Sequence, residues 1–192
     1  MKYTTEQLKN IFSKGELALK EYHLPDWEEL TEIPLYMDQV VLLLNRYLAL
    51  FSAVANDDKL ITSTMINNYV KMKLIPAPVK KKYSKIHMAY LIIVCVLKQT
   101  LSISVISQML PPDLSEEDLK KTYTAFVKNQ TKAFSYVTEQ IKTVAMPILN
   151  GSETGEDRLN DLVLQVAVSA NIFKLLTGWI ADLQSSVTET ME

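Results

Sequence analysis

The chain has 192 residues, 48% of them hydrophobic, with 4 glycines and a formal charge of −2, enough to bury a core as one domain or two small ones. So few glycines, with neither a P-loop spacing nor a GxGxxG after a strand, argue against a phosphate-cradling loop. The one cysteine, Cys95, lies in the apolar run 91–97; it reads as a buried small hydrophobe and allows no disulfide within one chain.

The first ten residues, MKYTTEQLKN, hold no apolar stretch of the signal-peptide kind, so a cytoplasmic location is expected. The two most apolar windows are 35–54, broken by Asp38 and Arg46, and 162–181, broken by Gln165, Asn171 and Lys174. Neither is expected to span a membrane, and no membrane partner is anticipated.

In chain order, Thr4 or Thr5 caps a first helix reaching about Tyr22, striped by Leu8, Ile11, Phe12 and Leu19. Pro25 ends it, and a turn over 26–30 places Trp27 on the core. Pro34 pre-sets a core helix from Leu35 to about Phe51, with Val40, Leu43, Leu44, Tyr47 and Leu48 at helical spacing. The polar stretch 52–59 reads as a loop. Thr62 then caps a short helix, Ser63 to about Lys73, with Ile66, Tyr69 and Val70 inward and Asn67, Asn68 and Lys71 outward.

Pro76 and Pro78 stop that helix, and Lys80–Lys82 form a basic loop or hairpin before Ser84 caps the next helix. That helix, about Lys85 to Gln99, is apolar on most faces and must be buried. A shorter one, Ser102 to about Met109, precedes Pro111 and Pro112, where a domain boundary is expected.

Two long helices follow. The first starts at Ser115 with Asp118 and runs to about Ala145. The second, after the loop 150–155, covers about Glu156 to Ser185 and has two apolar faces: Leu159, Leu162, Val166, Ala170, Phe173 and Ile180 on one, and Leu164, Val168, Ile172, Leu175 and Trp179 on the other. Two helices alone cannot cover both. Either the helix packs inside the monomer or it pairs with a second copy, and the dimer is preferred, with Val168, Ile172, Leu175 and Trp179 at its interface.

The charge distribution is the most informative feature. Residues 59–112 hold eight lysines and no Asp or Glu, which leaves the remainder with 12 basic and 22 acidic residues, a net −10. An acid-free basic segment in an acidic chain is a partner-facing surface, and phosphate is its simplest partner.

Residues 61–75, ITSTMINNYVKMKLI, followed by a proline, a lysine cluster, Tyr83-Ser84 and a long apolar helix, resemble the DNA-binding domain of MerR-type winged-helix regulators. The matching positions are Ile61 and Thr62 in the turn, Ile66 and Tyr69 in the helix, Leu74 and Ile75 after it, and Lys82, Tyr83 and Ser84 beyond the wing; residues 101–106 resemble the next short helix. The sequence departs from that pattern at Asn67, where an arginine is usual, and at Lys73, where a glycine is usual. The segments LPDWEEL (24–30), PLYMDQV (34–40) and MINNYV (65–70) also resemble a bacterial family catalogued as domain of unknown function 1836.

The expected fold is all-α: a winged helix-turn-helix-like N-terminal domain, 1–112, with its module at about 34–110, followed by a helical hairpin, 113–192, for dimerisation or signal sensing. The expected function is a DNA-binding transcriptional regulator, dimeric, contacting double-stranded DNA through Ser63, Asn67, Asn68, Lys71, Lys73, Lys80, Lys81, Lys82 and Lys85. Asn pairs bidentately with adenine, and Lys reaches guanine or phosphate. The only arginines are Arg46 and Arg158, so the commonest guanine contact is missing from the basic segment.

The alternative is a non-enzymatic adaptor whose basic surface docks an acidic partner while its apolar C-terminal helices bind another protein. An effector is compatible with either. No enzyme, cofactor or metal is expected: His23 and His87 stand far apart without ligand spacing, and the acids at 116–118 suit a helix start. His87, beside Ser84, reads as a surface or capping-turn residue, or a phosphate contact.

Overall fold

The computed structural model describes residues 5–51, 61–149 and 156–189. The fold is all-α, as the periodicity requires. The described helices are α1 (Thr5–Glu21), a 3-10 turn (Trp27–Glu29), α2 (Met37–Tyr47), α3 (Ser63–Lys71), α4 (Lys85–Leu97), α5 (Ile103–Met109), α6 (Glu116–Leu149) and α7 (Glu156–Glu189). The expected cap at Thr4 and the loops at 52–59 and 150–155 lie outside the described residues.

The chain divides into two units, residues 1–22 with 132–192, and residues 23–131. The division does not fall at Pro111 and Pro112, where the sequence placed it. The Tyr90 hydroxyl donates to the Pro111 carbonyl at 2.6 Å, and the Tyr123 hydroxyl on α6 donates to the Pro25 carbonyl at 2.8 Å. The first half of α6 is thereby fastened to the unit that precedes it.

Within the 23–131 unit, α4 is the central element. Every residue from Met88 to Cys95 is buried, so the helix is covered on all sides, as its lack of a polar face demands. It packs against α2, and Val40 and Leu44 of α2, Leu48 at its C-cap, Ile66 and Tyr69 of α3, and Leu119 and Tyr123 of α6 are buried in the same unit. Trp27 packs edge-on against Tyr123 with ring centroids 6.0 Å apart.

One expectation at α2 is corrected. Leu35 does not open the helix; it pairs with Tyr83 through two backbone hydrogen bonds of 2.8 Å, and the helix begins at Met37. A proline at 34 favours an extended entry as readily as a first helical turn, and the pairing ties the start of α2 to the start of α4.

In the other unit, α1, the second half of α6 and α7 share a small core of Ala145 and Leu162, with Phe12 against it. Tyr22 meets Phe134 edge-on at 5.5 Å, and Glu16 of α1 accepts from Lys142 of α6 at 2.9 Å. Between α6 and α7 lies a cleft of about 380 Å³ that includes Tyr136, Val137, Val166 and Phe173. The face of α7 carrying Leu162, Val166 and Phe173 therefore lies along α6. Of these Leu162 is buried, but Val166 and Phe173 are 45% and 60% exposed, and the other face, with Val168, Ile172, Leu175 and Trp179, is exposed as well. By length and composition the stretch Asn160–Leu183 of α7 is also apolar enough to cross a bilayer.

Candidate nucleic-acid interface

Three local devices fix the position of α3. The Thr62 hydroxyl accepts the Met65 N–H at 3.3 Å as N-cap. The Asn45 side chain on α2 clamps residue 61 from both directions, Nδ2 donating to the Ile61 carbonyl at 3.0 Å and Oδ1 accepting its N–H at 3.3 Å. At the far end, the Leu74 N–H donates to the Tyr69 carbonyl at 2.9 Å and the Lys73 N–H to Val70 at 3.0 Å. That pair of bonds is a Schellman motif. It ends α3 at Lys71 rather than at Lys73, as the apolar pattern had suggested.

With Ile66 and Tyr69 buried, α3 presents Ser63, Asn67, Asn68 and Lys71 to solvent. Thr64 lies on the same exposed side. It was missed from the sequence although its spacing of three and four to Asn67 and Asn68 marks it as their neighbour.

The basic turn follows. Val79 and Lys82 exchange backbone hydrogen bonds of 3.1 and 2.9 Å, closing a two-residue hairpin whose tip is Lys80 and Lys81, at φ of 50° and 64°. Positive φ at both tip residues is the geometry that favours Asn-Gly. Lys73, at the helix end where glycine is preferred, has φ 55°. These three lysines are the non-glycine residues of positive φ among the described residues.

A lysine in this conformation carries a steric cost of about 1 kcal/mol or more, and the sequence departs from the usual glycine at Lys73. All three side chains are exposed, and among the described residues no ion pair involves Lys71, Lys73, Lys80 or Lys81. Lys82 is exposed too, its ammonium 5.1 Å from the centroid of the exposed Tyr36 ring.

Lys85 is a correction. It was expected on the phosphate-facing side, yet it is buried: its ammonium pairs with the Glu32 carboxylate and sits 5.3 Å from the Trp27 ring centroid. A charge so buried is held by its partners and is withdrawn from the solvent-facing set. Glu32 is 53 residues away in sequence, which is why no local pattern revealed the pair.

His87 takes the capping role and not the surface one. Its Nδ1 accepts the Ser84 N–H at 3.0 Å, in the manner of a capping box, and its Nε2 lies 3.2 Å from the Ala77 carbonyl. The two bonds together require the neutral ring, protonated on Nε2. Burial lowers the His87 pKa from its ordinary 6.5, against an opposing pull from the Ala77 bond.

A depressed folded-state value means that the unfolded chain binds the extra proton more readily, so His87 stabilises the fold fully above pH 6.5 and less as pH falls below it. His87→Gln keeps an acceptor for Ser84 and a donor for Ala77 without titrating. Urea melts between pH 7.5 and 5.5 are expected to lose less stability in this variant than in the parent.

Cys95 is buried, and burial pushes its thiol up to about 12, which makes it a poor nucleophile. Among the described residues no group of three or more His, Cys, Asp or Glu is placed to hold a metal ion.

No curated protein and no solved structure matches the chain. A family model described as Domain of unknown function (DUF1836) matches residues 25–144, a segment that holds the whole lysine surface and stops short of α7, and the chain belongs to that family.

Proposed function

We propose that the protein is a DNA-binding transcriptional regulator of the cell interior, in which α2 and α3 serve as a helix-turn-helix and the hairpin 79–82 as a basic wing of the MerR-like kind. In this reading α3 enters the major groove, where Asn67 and Asn68 read base edges, while Lys71, Lys73, Lys80, Lys81 and Lys82 contact phosphates. The observation that carries it is the placement of Lys73, Lys80 and Lys81 at positive φ. A chain shaped for stability alone would hold glycine or asparagine there, whereas exposed lysines without ion pairs suit a polyanion.

The test is duplex binding measured at about 50 and 200 mM salt. The parent binds, with a steep salt dependence. Changing Lys80, Lys81 and Lys82 together to Gln weakens binding to all sequences alike and lowers the salt slope by up to about 0.9 per lost phosphate contact. An unchanged slope removes the hairpin from the interface. Absence of any duplex binding by the parent at the lower salt transfers the basic surface to an acidic protein partner.

A further inference from the structure

Two antiparallel pairings, Leu35 with Tyr83 and Val79 with Lys82, lay the segment that enters α2 alongside the second arm of the hairpin. Side chains along such paired segments alternate between two faces. Leu35 and Tyr83 are buried, and the pair next to them, Tyr36 opposite Lys82, faces solvent, with the exposed Val79 on the other side of Lys82. The outcome is a row of Val79, Lys82 and Tyr36 beside the Lys80 and Lys81 tip.

Tyr36 is 56% exposed, and the fold uses its backbone rather than its ring. Its N–H donates to Gln39 Oε1 at 2.9 Å, which opens α2, while among the described residues no hydrogen bond takes up its hydroxyl. The Lys82 ammonium lies 5.1 Å from the ring centroid. Among the described residues no ion pair involves Lys82, and within its row it has only the ring and Val79 for neighbours. Of the nearby acids, Glu32 pairs with Lys85. Asp38 stands two residues along from Tyr36, a spacing at which helical side chains do not face one another.

A cation and a hydroxyl donor side by side, both free of protein partners, suit an anion that presents several acceptor oxygens at once. Lysine and tyrosine are both ordinary donors to the phosphates of DNA. We propose that Tyr36 and Lys82 hold one backbone phosphate between them, the hydroxyl donating to one oxygen and the ammonium to another. The shared phosphate fixes where the hairpin sits on the duplex. This rests on the DNA-binding reading and extends it to a residue outside the acid-free segment 59–112.

The two partners differ in charge, and so in their response to salt. The full chain, Tyr36→Phe, Lys82→Gln and the double variant are titrated with a random-sequence duplex at about 50 and 200 mM salt, with a thermal melt on each. Tyr36→Phe removes one neutral donor to a charged acceptor. Its affinity is expected to fall roughly tenfold, by the same factor at both salt concentrations, because no charge is lost. Lys82→Gln is expected to lower the salt slope by up to about 0.9. Since both side chains serve one phosphate, the double variant is expected to lose less than the product of the two single losses.

Tyr36→Phe at parental affinity would overturn the hydroxyl contact and leave the DNA-binding reading standing. Losses that multiply in the double variant would put the two side chains on different phosphates and overturn the shared site. A lower melting temperature for Tyr36→Phe would show that the hydroxyl serves the fold, with the same consequence. A parent that binds phosphatidylglycerol vesicles and no duplex would overturn this proposal together with the reading beneath it.

Discussion

Replacing Lys80 by Asn and Lys81 by Gly is expected to raise the melting temperature and weaken DNA binding in the same variant. Both residues stand at positive φ, where an L side chain other than Asn or Asp crowds its own backbone. Relief amounts to about 1 kcal/mol for each residue, and for a domain of this size 2 kcal/mol corresponds to roughly 5–15 °C. The hairpin keeps its shape, because Asn-Gly is the pair that this turn prefers.

Its charge falls by two, and under the DNA-binding reading the salt slope falls by up to about 1.8, with affinity reduced on every sequence. Thermal melts and binding titrations at two salt concentrations read both effects. A variant that gains stability and binds as before would show that the hairpin lysines are carried for some other reason. A variant that gains no stability would mean that the turn is not strained as its backbone angles imply.

The opposition of these two effects is what separates a recruited charge from an incidental one. Exposed lysines on ordinary helix surfaces cost nothing and say little, since a solvated charged face is their usual role. Lysine at a glycine position trades stability for charge, and proteins retain such trades chiefly where function is served. Lys73 repeats the pattern at the end of α3, and Lys73→Gly is expected to change stability and binding in the same two directions.

What the sequence made legible was local. Caps at Thr62, Ser84 and Ser115, the burial of Trp27 and of α4, and the helix boundaries within a few residues followed from short-range spacing and hydrogen bonding. The end of α3 was placed two residues late because lysine conceals a turn that glycine would have announced.

Features closed over long separations were not legible. Lys85 reads as one more exposed lysine until Glu32 and Trp27 are brought beside it. Pro111 and Pro112 read as a boundary until Tyr90 and Tyr123 fasten both of their sides to one unit. The two-faced pattern of α7 was visible from the start. Which face lies along α6 could not be read from a helix whose two faces are almost equally apolar.

The contrast between neighbours on α3 gives the other large effect. Ile66 is fully buried and Asn67 is exposed, so alanine at each position separates support from recognition. Ile66→Ala is expected to cost about 2–5 kcal/mol of stability, the loss of a buried aliphatic group plus the cavity that it leaves. Binding would then fail in proportion to unfolding and without regard to sequence.

Asn67→Ala removes no buried contact and is expected to move stability by less than about 0.5 kcal/mol. If Asn67 reads an adenine, its loss costs on the order of 1–3 kcal/mol at a preferred site and far less on random duplex. A preferred site comes first, by selection from random duplexes with the parent protein. Equal losses for Asn67→Ala on preferred and random sequence would assign Asn67 to the phosphate backbone and leave base reading to Asn68, Thr64 or Ser63 on the same exposed side. An Ile66→Ala protein as stable as the parent would contradict the packing of α3 against α2 on which the whole interface rests.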